Sequence, residues 1–127
     1  MSKLKVVSAI VGVTVIPYID PTDVALYPKV IVNRILVINC PASGIPTPDI
    51  VWAKDDEILD PTLHPNIQVI ASGRQLRISA AAISDSGSYR CIATNKAGED
   101  SLEYQLSVYC KLIVIVIVKS KFIEYWC

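Results

Sequence analysis

A chain of 127 residues and 13.9 kDa holds one ordinary domain and little more. Twelve Lys and Arg balance twelve Asp and Glu, so there is no basic surplus to displace counterions from nucleic acid or to hold an anionic membrane surface. Apolar residues make up 52% of the chain, too many for a disordered polymer, yet no apolar run reaches the ~18–20 residues a membrane-spanning helix needs.

Reaction chemistry finds little purchase. The single histidine, His64, has no Cys or His partner at metal-ligand spacing, and Cys40, Cys91, Cys110 and Cys127 form no C-x-x-C pair. No nucleophile elbow, phosphate-cradling glycine loop or H-E-x-x-H stands in the sequence. The expectation is therefore no catalytic, cofactor-binding or metal-ligating residue and no small-molecule substrate.

In chain order, Met1–Lys5 followed by the apolar stretch Val6–Ile16 reads as the remnant of a preceding repeat, with the charge and apolar length of a secretory signal as the alternative. Ile35–Cys40 puts Leu36, Ile38 and Cys40 on one face, and Asp49–Ala53 does so with Ile50 and Trp52. Gln75–Ser79 turns Leu76 and Ile78 inward; Ser88–Ala93 turns Tyr89, Cys91 and Ala93 inward; Ser101–Val108 does the same with Leu102, Tyr104, Leu106 and Val108. Period two is the geometry of a half-buried strand, since successive side chains point to opposite faces. The intervening stretches, 41–49, 54–57, 60–65 and 71–74, are rich in Pro, Gly, Asp and Ser and read as turns. Asn95–Gly98 suits a short hairpin loop. Ala80–Ile83 is too short to nucleate a helix and reads as the approach to a corner. The fold class is all-β and antiparallel.

Cys40, Cys91 and Trp52 all fall on the inward phase of their strands, which meets the facing requirement for a bridge between two sheets with an indole packed on it. Closing a loop of that size contributes roughly 4 kcal/mol by the chain-entropy argument. Tyr89 lies two residues before Cys91 in Asp85-Ser-Gly87-Ser-Tyr89-Arg-Cys91. A tyrosine so placed buries its ring and turns its hydroxyl onto backbone upstream, with Asp85 and Gly87 supplying the turn.

Together, Cys40, Trp52, Leu76-x-Ile78 and Asp85-x-Gly87-x-Tyr89-x-Cys91 resemble the immunoglobulin superfamily, and the segments 40–52 and 93–98 resemble its I-set. Within that set the chain is most similar to the repeats of the hemicentin family, large secreted matrix proteins built of tandem immunoglobulin domains. The resemblance implies an immunoglobulin-like β-sandwich over 17–109, with a Cys40–Cys91 disulfide and a core signature of Trp52, Leu76, Ile78, Asp85, Gly87 and Tyr89. It leaves two extensions outside the family pattern: the apolar segment 1–16, and the hydrophobic tail 110–127. It further implies a non-catalytic extracellular module for adhesion or matrix architecture. Its partners would be other proteins, either neighbouring immunoglobulin-like domains or matrix and cell-surface proteins. Two alternatives stay open: an intracellular structural module like those of giant muscle proteins, and a soluble receptor ectodomain fragment.

Several positions depart from the pattern or invite a sharper reading. Ile35 and Val37 occupy outward phases, either covered by a neighbour or tolerated as single exposures. Asp55-Asp56 replaces the Asn-Gly or Asp-Gly of a primed hairpin, so a looser turn is expected there. The acidic run Asp55, Asp56, Glu57 and Asp60 lacks the spacing of a calcium loop and reads as a solvated hairpin tip. His64 reads as a surface loop residue; Ser84, Ser86 and Ser88 read as turn residues. No asparagine meets the N-x-S/T rule, and no Arg-Gly-Asp is present. The run Leu112–Val118, flanked by Lys111, Lys119 and Lys121, is a strong β-former that would either extend the last strand or stand outside the fold. Cys110 and Cys127 would pair together, pair between chains or stay free, the last being the plainer expectation.

Overall fold

The computed structural model describes residues 12–110 and the strands 115–118 and 121–124. The strands are β1 (Val15–Ile19), β2 (Lys29–Ile31), β3 (Leu36–Asn39), β4 (Ala42–Ile45), β5 (Asp49–Lys54), β6 (Glu57–Ile58), β7 (Ile67–Ile70), β8 (Gln75–Ile78), β9 (Gly87–Asn95), β10 (Gly98–Tyr109), β11 (Ile115–Val118) and β12 (Lys121–Glu124). Five strands in the order β2-β10-β9-β5-β6 make one sheet and three in the order β3-β8-β7 make the other, with β1 and β4 forming a small ribbon at one edge. Pairing is antiparallel except where β2 lies parallel to β10. The expected all-β sandwich is the fold.

Each period-two stretch buries the phase the sequence assigned to it. Ile38, Cys40, Trp52, Leu76, Ile78, Tyr89, Cys91, Ala93, Tyr104, Leu106 and Val108 form the core between the sheets, with Leu36, Ile50 and Leu102 packed against it. The only helical turns among the described residues are single 3-10 turns at Ala71–Gly73 and Ile83–Asp85, so Ala80–Ile83 does lead into a corner.

Four local expectations need correcting. Stretch 41–49 is not all turn: β4 occupies Ala42–Ile45 and pairs with β1, its buried contribution to that ribbon being Ala42 alone. Val15 and Ile16, placed upstream of the domain by the sequence pattern, belong to β1 of this sandwich, which carries a register irregularity before Tyr18. Lys54 pairs with Glu57, leaving a two-residue loop in which Asp55 and Asp56 have φ of 50° and 68°. That is the left-handed backbone of a tight primed turn, which Asp tolerates because its short carboxylate bonds locally. Of the two outcomes open for the hydrophobic tail, extension of the last strand is not the one seen: β10 stops at Tyr109, and residues 115–118 pair with 121–124. Cys110 is held in a disulfide, so the free-thiol expectation fails for it. Cys127, Lys111, Lys119 and residues 1–11 lie outside the described residues.

Candidate interaction surfaces

The signature residues converge at the sandwich centre. Cys40 and Cys91 are joined by a disulfide across Cα atoms 6.3 Å apart, within the bridging range. Trp52 sits opposite Cys91 in the β5–β9 register, and its ring lies 5.6 Å from that of Tyr104 at a tilt of 32°. Leu76 and Ile78 on β8 are fully buried beneath them. The Tyr89 hydroxyl donates to the Asp85 carbonyl at 2.6 Å, which closes the corner. Asp85, itself buried, accepts at Oδ2 from the Ala82 amide and the Asn66 side chain, both at 2.8 Å.

Several structural residues escaped the sequence reading. The Trp52 indole donates to the Gly73 carbonyl at 2.7 Å, tying β5 to the turn between β7 and β8. The Tyr104 hydroxyl donates across the sandwich to the Asn39 carbonyl. Asn95 donates to the carbonyls of Val15 and Pro46, at 2.9 and 3.0 Å, while its Oδ1 accepts from Ala97 N. One side chain thus fastens the β9–β10 hairpin to β1 and to the 46–48 loop. Asp100 adds a second clasp by accepting from Ile19 N at 2.8 Å. Only the spacing of Asn95 and Gly98 hinted at any of this, because the partners of these side chains are backbone groups and carry no residue signal.

Burial raises both core tyrosines. Desolvation pushes Tyr104 up to about 12, and desolvation followed by the nearby Asp85 and Asp55 charges pushes Tyr89 well above its ordinary value. These groups are poised to stay neutral, not to transfer protons at physiological pH.

The acidic tip faces solvent. Asp55 accepts from Lys54 Nζ at 2.9 Å and from the Ser88 amide at 3.0 Å, and these bonds hold its carboxyl below the usual range. Asp60 is lowered by the hydroxyl and amide of Thr62, both within 2.9 Å. The cleft between this tip and His64 encloses about 290 Å3. Among the described residues no three His, Cys, Asp or Glu side chains converge in a way that could hold a metal ion.

The broad features left are the two outer sheet faces. On the five-stranded sheet the register sets Val51 beside Ile92 and Ser101, Ala53 beside Arg90 and Glu103, and Asp49 beside Thr94 and Glu99. Arg90 lies 3.4 Å from Glu103 and 3.6 Å from Asp56. On the three-stranded sheet Val37, Arg77 and Gln68 form one row, and Asn39, Gln75 and Ile70 the next. Such surfaces bind by shape, apolar contact and charge, not by bond making.

Comparison with known proteins agrees with this architecture. The immunoglobulin I-set domain family matches residues 27–108. Hemicentin-1 of Mus musculus is 42% identical over 81 residues, 64% of this chain and 1% of that protein, so the chain spans about a hundredth of the relative it matches. Among solved structures, sidekick-1 immunoglobulin domains 1–4 superpose with a TM-score of 0.64 at 31% identity, covering 72% of this chain and 24% of that one. The titin M3 domain gives 0.63 at 32% identity, covering 72% of this chain and 95% of that one. With its disulfide, buried tryptophan and tyrosine corner in place, this chain belongs to the immunoglobulin I-set family.

Proposed function

We propose that the chain is a non-catalytic, extracellular I-set module of hemicentin-like kind, spanning about residues 15–109, that works in adhesion or matrix architecture through contacts with other proteins. The observation that carries the reading is the Cys40–Cys91 disulfide at the centre of the core. Such a bridge persists in oxidising compartments and is rare in the cytosol. The similarity to hemicentin-1 and to sidekick-1 supports the same assignment. Mechanically, a stapled sandwich is a stiff spacer that presents sheet faces and strand edges to its neighbours.

The likeness to titin M3 favours a second reading, an intracellular structural module. Peptide mass mapping of the protein isolated from its native source, with and without reductant, separates them. The extracellular reading expects one cross-linked species holding Cys40 and Cys91, two hydrogens lighter than the reduced pair. Free thiols at both positions in the native protein would replace it with the intracellular reading.

A further inference from the structure

The chain's formal charge is zero, but the sandwich itself is not neutral. Residues 12–110 carry seven Lys and Arg against eleven Asp and Glu, a surplus of four negative charges. That surplus is unevenly distributed. The outer face of the five-stranded sheet holds Asp49, Glu99 and Glu103, with Asp56 at its rim, around the cation Arg90, and Lys29 stands on β2 beside Ser107, so acids outnumber bases on this face. Its centre is apolar: Val51 is 43% exposed, Ile58 at the edge is 67% exposed, and Ile92 lies between them and Ser101.

The opposite face is the complement. On β3, β8 and β7 the outward positions are Val37, Arg77 and Gln68, then Asn39, Gln75 and Ile70, with Ile35 preceding β3. Among the described residues Arg77 forms no salt bridge, and no acidic side chain occupies an outward position of these three strands. This face too is apolar around its charge, with Ile35 57% and Val37 42% exposed.

We propose that this surface pair recognises a second copy of the same chain, the basic face of one molecule docking on the acidic face of the next. Charge complementarity selects that arrangement. A two-fold contact through the acidic face would bring together two copies of a surface with a net negative charge. A two-fold contact through the opposite face would bring Arg77 against Arg77. Only the crosswise pairing opposes unlike net charges, while matching one exposed apolar centre with the other. Because the two docking patches differ, the contact is heterologous and each bound copy still offers one free face, so association proceeds beyond a pair. The inference does not depend on where the protein resides and goes beyond its role as an extracellular module.

Sedimentation velocity on the full chain, over a concentration series at low salt and again in about 0.5 M NaCl, reads the association directly, since screening at that strength removes most exposed pairing. The wild type is expected to associate at low salt and to dissociate as salt rises. R77E and E103R should each weaken self-association by about tenfold or more. The decisive sample is their equimolar mixture: R77E keeps an intact acidic face and E103R an intact basic one, and the two reversed charges also oppose each other, so the mixture should recover the association that each single variant loses. If R77E fails to fold, Q68E places an acid beside Arg77 on the exposed edge strand and replaces it. A monomer at every concentration, association indifferent to salt and to both reversals, or a mixture that stays monomeric while both single variants are monomeric would each overturn the proposal and leave the disulfide-based extracellular reading standing.

Discussion

Trp52 does two jobs that a single substitution conflates. Its ring fills the space against Tyr104 and the disulfide, and its Nε1 satisfies the buried Gly73 carbonyl. Trp52→Ala should lose about 3–5 kcal/mol through the cavity, enough to unfold a domain whose whole stability is about 5–15 kcal/mol. Trp52→Phe keeps most of the apolar volume but strands the carbonyl, at about 1–3 kcal/mol. A urea midpoint for the Phe variant equal to wild type would show the indole hydrogen bond to be immaterial. Gly73 is the less visible half of the pair. It sits at φ 88°, and an added Cβ would lie 2.8 Å from Ile50 Cβ, so Gly73→Ala is destabilising on both counts. The tryptophan was legible because a large apolar residue on an inward phase has few other places to go. The glycine was not, because its contribution is a carbonyl and a missing methyl group.

At the scale of strands and turns, the β5–β6 hairpin is held by charge as much as by pairing. Asp55 sits at φ 50° with its carboxylate shared between Lys54 and the Ser88 amide. Those bonds lower its pKa below the ordinary 3.8, so the ionised form is bound better in the fold than in the unfolded chain. The contribution is present above the unfolded value and is lost as pH falls through the lower folded value. Asp55→Asn, which tolerates the same backbone, should cost no more than about 1 kcal/mol at neutral pH because the site is exposed. Thermal melts at pH 7 and at about pH 3 should show the wild-type advantage shrinking toward the acid end; an advantage that grew there would reverse the sign. The same elements explain what the sequence could reveal. Strands β3, β5, β8, β9 and β10 alternate between core and solvent, and that alternation wrote itself into residue choice. Strands β4, β6 and β7 bury one residue, none and one respectively, so burial imposed no period on them. Their pairing is set by neighbours distant in sequence, which no local pattern records.

For the molecule as a whole, the two sheets are joined by more than hydrophobic contact. The disulfide links β9 to the end of β3, and Tyr104 on β10 reaches across to the Asn39 carbonyl. Tyr89 closes the corner through which the chain passes from one sheet to the other. Both hydroxyls donate, so both must stay protonated for the sandwich to keep these bonds, and burial raises both above their ordinary value of 10. The folded state therefore holds protons that the unfolded chain releases. Their contribution is complete below about pH 10 and is lost as pH rises through the folded values, about 12 for Tyr104 and higher for Tyr89. Each tyrosine can tilt stability by at most about 1.4 kcal/mol per pH unit in that window. Denaturant melts from pH 9 to 12 should show an accelerating loss above about pH 10. Tyr104→Phe should be less stable than wild type at neutral pH, because the Asn39 carbonyl loses its donor, yet its curve should fall less steeply with alkali. Since lysines titrate in the same range, it is this difference in slope between variant and wild type, not the alkaline loss itself, that identifies the buried hydroxyl as the titrating group; parallel curves would mean that Tyr104 ionises as freely in the fold as in the unfolded chain.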